Sequence, residues 1–224
     1  MRIREILITV LLLGSISLSY SQKLDRFEST IVAFEAEDQK NGLQQDVVLF
    51  VGSSSIKRWE TLKTDMTPIP VLNRGFGGST IPEVTHFADR IILPHKPKWI
   101  VFYCGENDLS NEETEAVLAL KSFKDFSKYL KKNLPDTKLF FIAIKPSIKR
   151  WNYWTKLNEA NEQIQKFIDK KDNYFYIDVA SKMLDNNGVV LQDIFVKDNL
   201  HLNEKGYQIW SETIKPVIES HYAD

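Results

Sequence analysis

Residues 47–59 read VVLFVGSSSIKRW, an apolar run that passes through one glycine into three consecutive serines and then into a segment with helical character. Runs this apolar suit a strand covered on both faces, and a strand that turns sharply into a helix is the frame on which many hydrolases carry a serine nucleophile. The same residues also have an ordinary use. Glycine and serine end strands, and a serine hydroxyl caps the free amides at the start of a helix. Whether the serines are chemistry or punctuation depends on what else the chain brings to the same place.

Moving outward, four more runs have the same character: IPVLN at 69–73, KWIVFYC at 98–104, TKLFFIAIK at 137–145 and YFYIDV at 174–179, beside DVVLFVG at 46–52. Segments of helical spacing lie between them. In 112–133, EETEAVLALKSFKDFSKYLKKN, Val117, Leu120, Phe123, Phe126 and Leu130 recur every three or four residues. Acidic residues open that segment, lysines close it and Pro135 stops it, a charge order that suits the helix dipole. Segments 24–40, 155–171 and 203–221 read the same way. Strands alternating with helices predict right-handed crossovers and a three-layer α/β/α domain of flavodoxin-like type on a five-stranded parallel sheet. In such sheets ligands bind beyond the carboxyl ends of the strands, so function is expected there.

Composition agrees with a globular domain and not with a binder of polyanions. The chain has 224 residues, 43% of them hydrophobic, with 29 basic and 30 acidic residues. The folded region has no long basic run, and nucleic acid is not an expected partner. At the start, MRIREILITVLLLGSISLSYSQ sets Arg2 and Arg4 before an apolar run from Ile6 to Leu18 and small residues at Ser19 and Ser21. This is the layout of a secretory signal peptide over 1–21, too short to span a membrane, leaving 22–224 as one exported domain without a stable membrane anchor, periplasmic or secreted. Cys104 is the only cysteine, so no intrachain disulfide forms. Its place at the end of an apolar strand reads as a small buried hydrophobe.

The strand ends carry a consistent set. After the first come Gly52 and the serines; after the second, NRGFGGST at 73–80; after the third, CGENDLS at 104–110; and just before the last helix, DNLH at 198–201. Together they supply a hydroxyl, glycine amides, a side-chain amide, and a histidine with an aspartate three residues before it. Acyl transfer needs those parts: a nucleophile, a base, a group to orient the base, and donors aimed at a developing oxyanion. Singly, each has a plain alternative. Gly77-Gly78 makes a tight turn and Asn107-Asp108 a turn or helix cap, whereas all of them in this order at loops is hard to obtain otherwise.

With these residues the chain resembles the SGNH hydrolases, the GDSL esterases and lipases, over about residues 46–215. The resemblance implies Ser54 as nucleophile, Asp198 and His201 as the rest of a triad, and an oxyanion hole from the amides of Ser54 and Gly78 with the side chain of Asn107. It implies no metal and no cofactor. One departure stands out: the family's Gly-Asp-Ser is here Gly52-Ser53-Ser54, which removes a hydrogen-bond acceptor beside the nucleophile and makes the choice among Ser53, Ser54 and Ser55 a matter of register.

For the substrate, the loop KPSIKRWNYWTK at 145–156 brings Trp151, Tyr153 and Trp154 to the carboxyl edge of the sheet, where they either stack on a sugar or wall an acyl pocket, or else pack beneath the following helix. Trp59 and Trp210 sit on apolar helical faces and are expected in the core. An exported enzyme with no lid insertion points to a short acyl group, acetyl foremost, on a small-molecule or carbohydrate ester. Alternatives are a lysophospholipase, a thioesterase or a platelet-activating-factor acetylhydrolase-like enzyme, and a non-catalytic carbohydrate-binding protein on the same scaffold.

Overall fold

The computed structural model describes residues 26–222; the expected signal peptide lies outside them. Helix α1 covers residues 26–41 of the described chain. It is followed by β1 (Val48–Gly52), α2 (Ser54–Lys57), α3 (Leu62–Asp65), β2 (Val71–Gly75), α4 (Ile81–Ile91), β3 (Trp99–Tyr103), α5 (Ala116–Asn133), β4 (Lys138–Ile142), α6 (Trp154–Ile168), β5 (Tyr174–Ile177) and α7 (Glu204–Tyr222). The strands form one parallel sheet in the order β2-β1-β3-β4-β5. This is the α/β fold expected from the sequence.

The near-continuous apolarity of the strands has a direct cause. Leu49 and Val51, Ile100 and Phe102, and Leu139 and Phe141 face a core made with α1, α4, α5 and α6. Val48 and Phe50, Val101 and Tyr103, and Phe140 and Ile142 face a second core made with α2, α3 and α7. Alternate residues therefore enter opposite cores, and each buried side chain of this size stabilises by roughly 1.5–3 kcal/mol relative to exposure. Trp59 and Trp210 lie in the second core, 1% and 0% exposed, with Trp59 stacked on Tyr207. Cys104 is fully buried, and desolvation pushes its thiol well above the ordinary range, which leaves it unreactive.

The element boundaries differ from the sequence reading for local reasons. The second strand starts at Val71 rather than 69, because Pro70 has no N–H to give and only its carbonyl joins the ladder, accepting from Val48 N at 2.9 Å. The fourth stops at Ile142: the backbone N–H and C=O of Ile144 are both taken by the Asn161 side chain, at 2.7 and 2.8 Å. The helix expected from 112 begins at Ala116, because Asn111 Oδ1 accepts the amides of Glu113 and Thr114 in a turn that keeps the acidic residues outside. Val117 is 50% exposed, and Ala116 and Ala119 take its expected place in the buried stripe. After the serines the helix is a single turn, α2.

Gly52 fixes how the site is approached. Its φ is +144°, and a Cβ there would stand 1.9 Å from the Tyr103 carbonyl oxygen. Only glycine lets the ends of β1 and β3 come this close, with Ser53 N donating to Tyr103 O at 3.0 Å. Gly52→Ala combines backbone strain with a clash against main chain and is expected to destabilise by about 3–4 kcal/mol, read by urea melts followed by circular dichroism. A variant as stable as the wild type would show that β1 can retreat from β3 at no cost.

Candidate active site

β1 lies between β2 and β3, so the chain turns in opposite directions from its two sides and leaves a crevice at its carboxyl end. Ser54 sits there, first residue of α2. Its neighbours Ser53 and Ser55 are buried, 3% and 2% exposed. Ser54 Oγ donates to His201 Nε2 at 2.9 Å, a contact that neither Ser53 nor Ser55 makes. The other ring nitrogen, Nδ1, donates to Asp198 Oδ2 at 2.6 Å. A carboxylate opposite Nδ1 fixes the tautomer with Nε2 as acceptor for the hydroxyl.

The loop that presents the histidine is built by its own aspartate. Asp198 Oδ1 accepts the amides of Leu200 and His201 at 3.0 and 2.9 Å, and Asn199, just before them, takes a left-handed φ of 58°, which asparagine tolerates better than most residues. Burial acts to raise the Asp198 pKa, but the hydrogen bonds from the His201 ring and the two amides outweigh it and hold the carboxyl well below the usual range. From α7, Tyr207 donates its hydroxyl to Ser55 O at 2.9 Å, tying the helix after His201 to the serine turn. Ser53 makes no side-chain capping bond, and the turn is held instead by its carbonyl, which accepts from Ile56 and Lys57 at 3.0 and 3.1 Å.

The expected donors lie around the same crevice. Among the described residues, the backbone amides of Ser54 and Gly78 donate to no acceptor. Gly78 has φ +81°, a left-handed conformation that glycine adopts without strain, and a Cβ on it would meet open space. The Asn107 side-chain N–H donates to Ser79 O at 3.0 Å, and its Oδ1 accepts from Arg150 Nη2 at 3.0 Å. Asp108 closes the loop against α4, both oxygens accepting from Ile81 N at 3.0 and 3.2 Å; burial, with the charge of Glu83, pushes its carboxyl up to about 7 despite that amide.

The aromatic loop is more involved in packing than the sequence reading required. Trp151 and Trp154 stack with ring centroids 6.1 Å apart and 11° between planes, and with Tyr153 they are half-buried against the cores on either side of the sheet. The sequence reading missed Glu106, Lys145 and Arg150, a charged cluster directly behind the site. Its signal was a glutamate in the GxND turn and a lysine closing an apolar strand run, charges in segments that otherwise read as buried.

A hydroxyl, an imidazole and a carboxylate joined in line, with free amides beside the hydroxyl, form an arrangement competent for nucleophilic acyl transfer on a doubly wound α/β scaffold. The chain belongs to the GDSL-like Lipase/Acylhydrolase family, whose model matches residues 44–209, and it is a hydrolase of ester bonds. No curated protein matches it in sequence. Among solved structures it is similar to a Streptococcus pneumonia protein named for platelet activating factor, at 18% identity and TM-score 0.74, with 93% of this chain and 98% of that one covered. It is similar also to a GDSL-like lipase from Bacteroides thetaiotaomicron, at 18% identity, TM-score 0.71 and coverages of 88% and 98%. A carbohydrate esterase family 3 structure from Talaromyces cellulolyticus shares 15% identity, TM-score 0.61 and coverages of 80% and 98%.

Proposed function

We propose that this hydrolase is an exported serine esterase for short acyl groups, acetyl foremost, carried on small molecules or carbohydrates, and that Ser54, His201 and Asp198 are its triad. The observation that carries the reading is the continuous hydrogen-bond chain from Ser54 Oγ through His201 to Asp198, at 2.9 and 2.6 Å, beside unpaired amides. His201 Nε2 takes the proton of Ser54 as its oxygen attacks the ester carbonyl. The oxyanion is met by the amides of Ser54 and Gly78 and by the Asn107 side chain. The alcohol leaves with the proton from His201, and an acyl-enzyme remains. Water then attacks with His201 again as base, and the acid is released.

The carbohydrate esterase among the similar structures favours a sugar ester. The apolar run at 6–18 behind Arg2 and Arg4 supports export. The similar structures named as a lipase and for platelet activating factor support a second reading, a lipid acyl ester.

Hydrolysis of p-nitrophenyl acetate, butyrate and octanoate separates the two. kcat/KM is expected to fall by at least about tenfold from acetate to octanoate, the order of loss when a few methylenes find no pocket. A preference for octanoate would transfer the assignment to lipid esters.

A further inference from the structure

We infer that Arg150 is a positioning residue for the Asn107 amide, held in place for that task by the buried carboxylate of Glu106. This rests on the proposed oxyanion hole and adds a component to it. The Asn107 carboxamide can face its neighbours only one way round. Its Oδ1 meets Arg150 Nη2, which can only donate, and its Nδ2 meets the Ser79 carbonyl, which can only accept, both at 3.0 Å. Flipping the amide would set donor against donor and acceptor against acceptor. One Nδ2 hydrogen is used by Ser79, and the other is left for an oxyanion.

Arg150 is itself fixed. Its Nη1 stands 3.3 Å from Glu106 Oε1, on a carboxylate whose side chain is 6% exposed. Glu106 also accepts from the Tyr103 hydroxyl at 2.9 Å and the Ser147 hydroxyl at 3.3 Å, and it pairs with Lys145 Nζ at 3.0 Å. Burial acts to raise its pKa, but the charges of Lys145 and Arg150 outweigh it and keep the group ionised. Lys145 Nζ reaches on to Leu200 O at 2.8 Å, one residue before His201. A single buried carboxylate therefore braces the oxyanion amide on one side and the histidine loop on the other.

The planar guanidinium holds Glu106 and Asn107 in one fixed geometry, which a lysine cannot reproduce. Its charge on Oδ1 also polarises the amide and strengthens the opposite N–H as a donor. A donor set in place beforehand needs no reorganisation when charge develops, so the benefit appears in the transition state and not in substrate binding.

The test is a double-variant cycle on p-nitrophenyl acetate turnover. Arg150→Met is expected to lower kcat about 10- to 100-fold with KM changed by less than about twofold. In an Asn107→Ala background the same change is expected to cost less than about threefold, since no amide remains to be oriented. Arg150→Lys is expected to retain the melting temperature while losing most of the kcat, which keeps the test valid if the methionine variant folds poorly. Equal losses in both backgrounds, or an Arg150→Met kcat within about twofold of wild type, would overturn the inference. Asn107→Ala alone separates the two layers, with about 10²–10³-fold expected from loss of an oxyanion donor. If Asn107→Ala is crippled and Arg150→Met is not, only the role of Arg150 falls. If Asn107→Ala is unaffected, the oxyanion hole falls and this inference falls with it.

Discussion

Ser54→Ala and His201→Ala should each lower kcat on p-nitrophenyl acetate by about 10⁵–10⁶-fold, and the double variant should lose no more than about threefold beyond either single one. The reason is that the two groups act on one proton. With Ser54 absent there is nothing for His201 to deprotonate, and with His201 absent the hydroxyl is too weak an acid to attack at neutral pH. A residual rate above that in water is expected in all three, because the free amides of Ser54 and Gly78 are main chain and survive both substitutions. Losses that multiply in the double variant would mean that serine and histidine act independently, and Ser54→Ala with full turnover would remove the nucleophile. Tyr207 on α7 holds Ser55 by its carbonyl, so the Ser54→Ala variant should keep the wild-type fold and report chemistry alone.

How far this arrangement was legible beforehand depended on the range of the interactions. The strands could be read because the central ones, β1 and β3, are buried on both faces, a condition that leaves a run of apolar residues in one short stretch of chain, and the half-buried edge strand β5 keeps that character with Tyr174, Phe175 and Tyr176. The strand-end loops could be read because glycine, serine, asparagine and the DNLH turn are local necessities: Gly52 permits the approach to Tyr103, and Asp198 builds its own turn through the amides of Leu200 and His201. Boundaries set by distant partners were not legible. β4 ends where Asn161, seventeen residues on from Ile144, captures its backbone. The Glu106 cluster leaves only a partial local signal, charges in segments that otherwise read as buried. Glu106, Lys145 and Arg150 come from two loops, and only packing pairs them, as a buried ion pair with one partner on the rim. The aromatic loop was read with its alternatives open, and the packing of Trp151 and Trp154 on one another and on the cores gives weight to the structural one.

Asp198→Asn is the sharpest probe of the proposed triad, because the amide can satisfy its surroundings only by shifting the ring tautomer or straining the turn. Asp198 accepts three hydrogen bonds: Oδ1 takes the amides of Leu200 and His201, and Oδ2 takes His201 Nδ1–H. If the asparagine keeps its oxygen on the amides, its NH₂ faces Nδ1, which must then accept, and the ring proton moves to Nε2 and points at Ser54. If it flips, its NH₂ opposes two backbone donors and the turn presenting His201 is strained. The first outcome keeps the fold and leaves a wrong tautomer, for which a kcat loss of about 10⁴-fold is expected, about 5.4 kcal/mol of barrier, with KM little changed. Nitrogen NMR of the His201 ring reads the tautomer directly, and a kcat within about tenfold of wild type would show that Asp198 does not set it. The same carboxylate carries a pH signature. Its folded pKa is depressed by the His201 ring and the two amides against the effect of burial, so its contribution to stability is complete above the unfolded carboxylate value of about 4 and is lost as pH falls toward the depressed one. The difference in melting temperature between wild type and Asp198→Asn should therefore be constant near neutrality and narrow below about pH 4. A difference that widens with acidification would place the protonation elsewhere in the molecule.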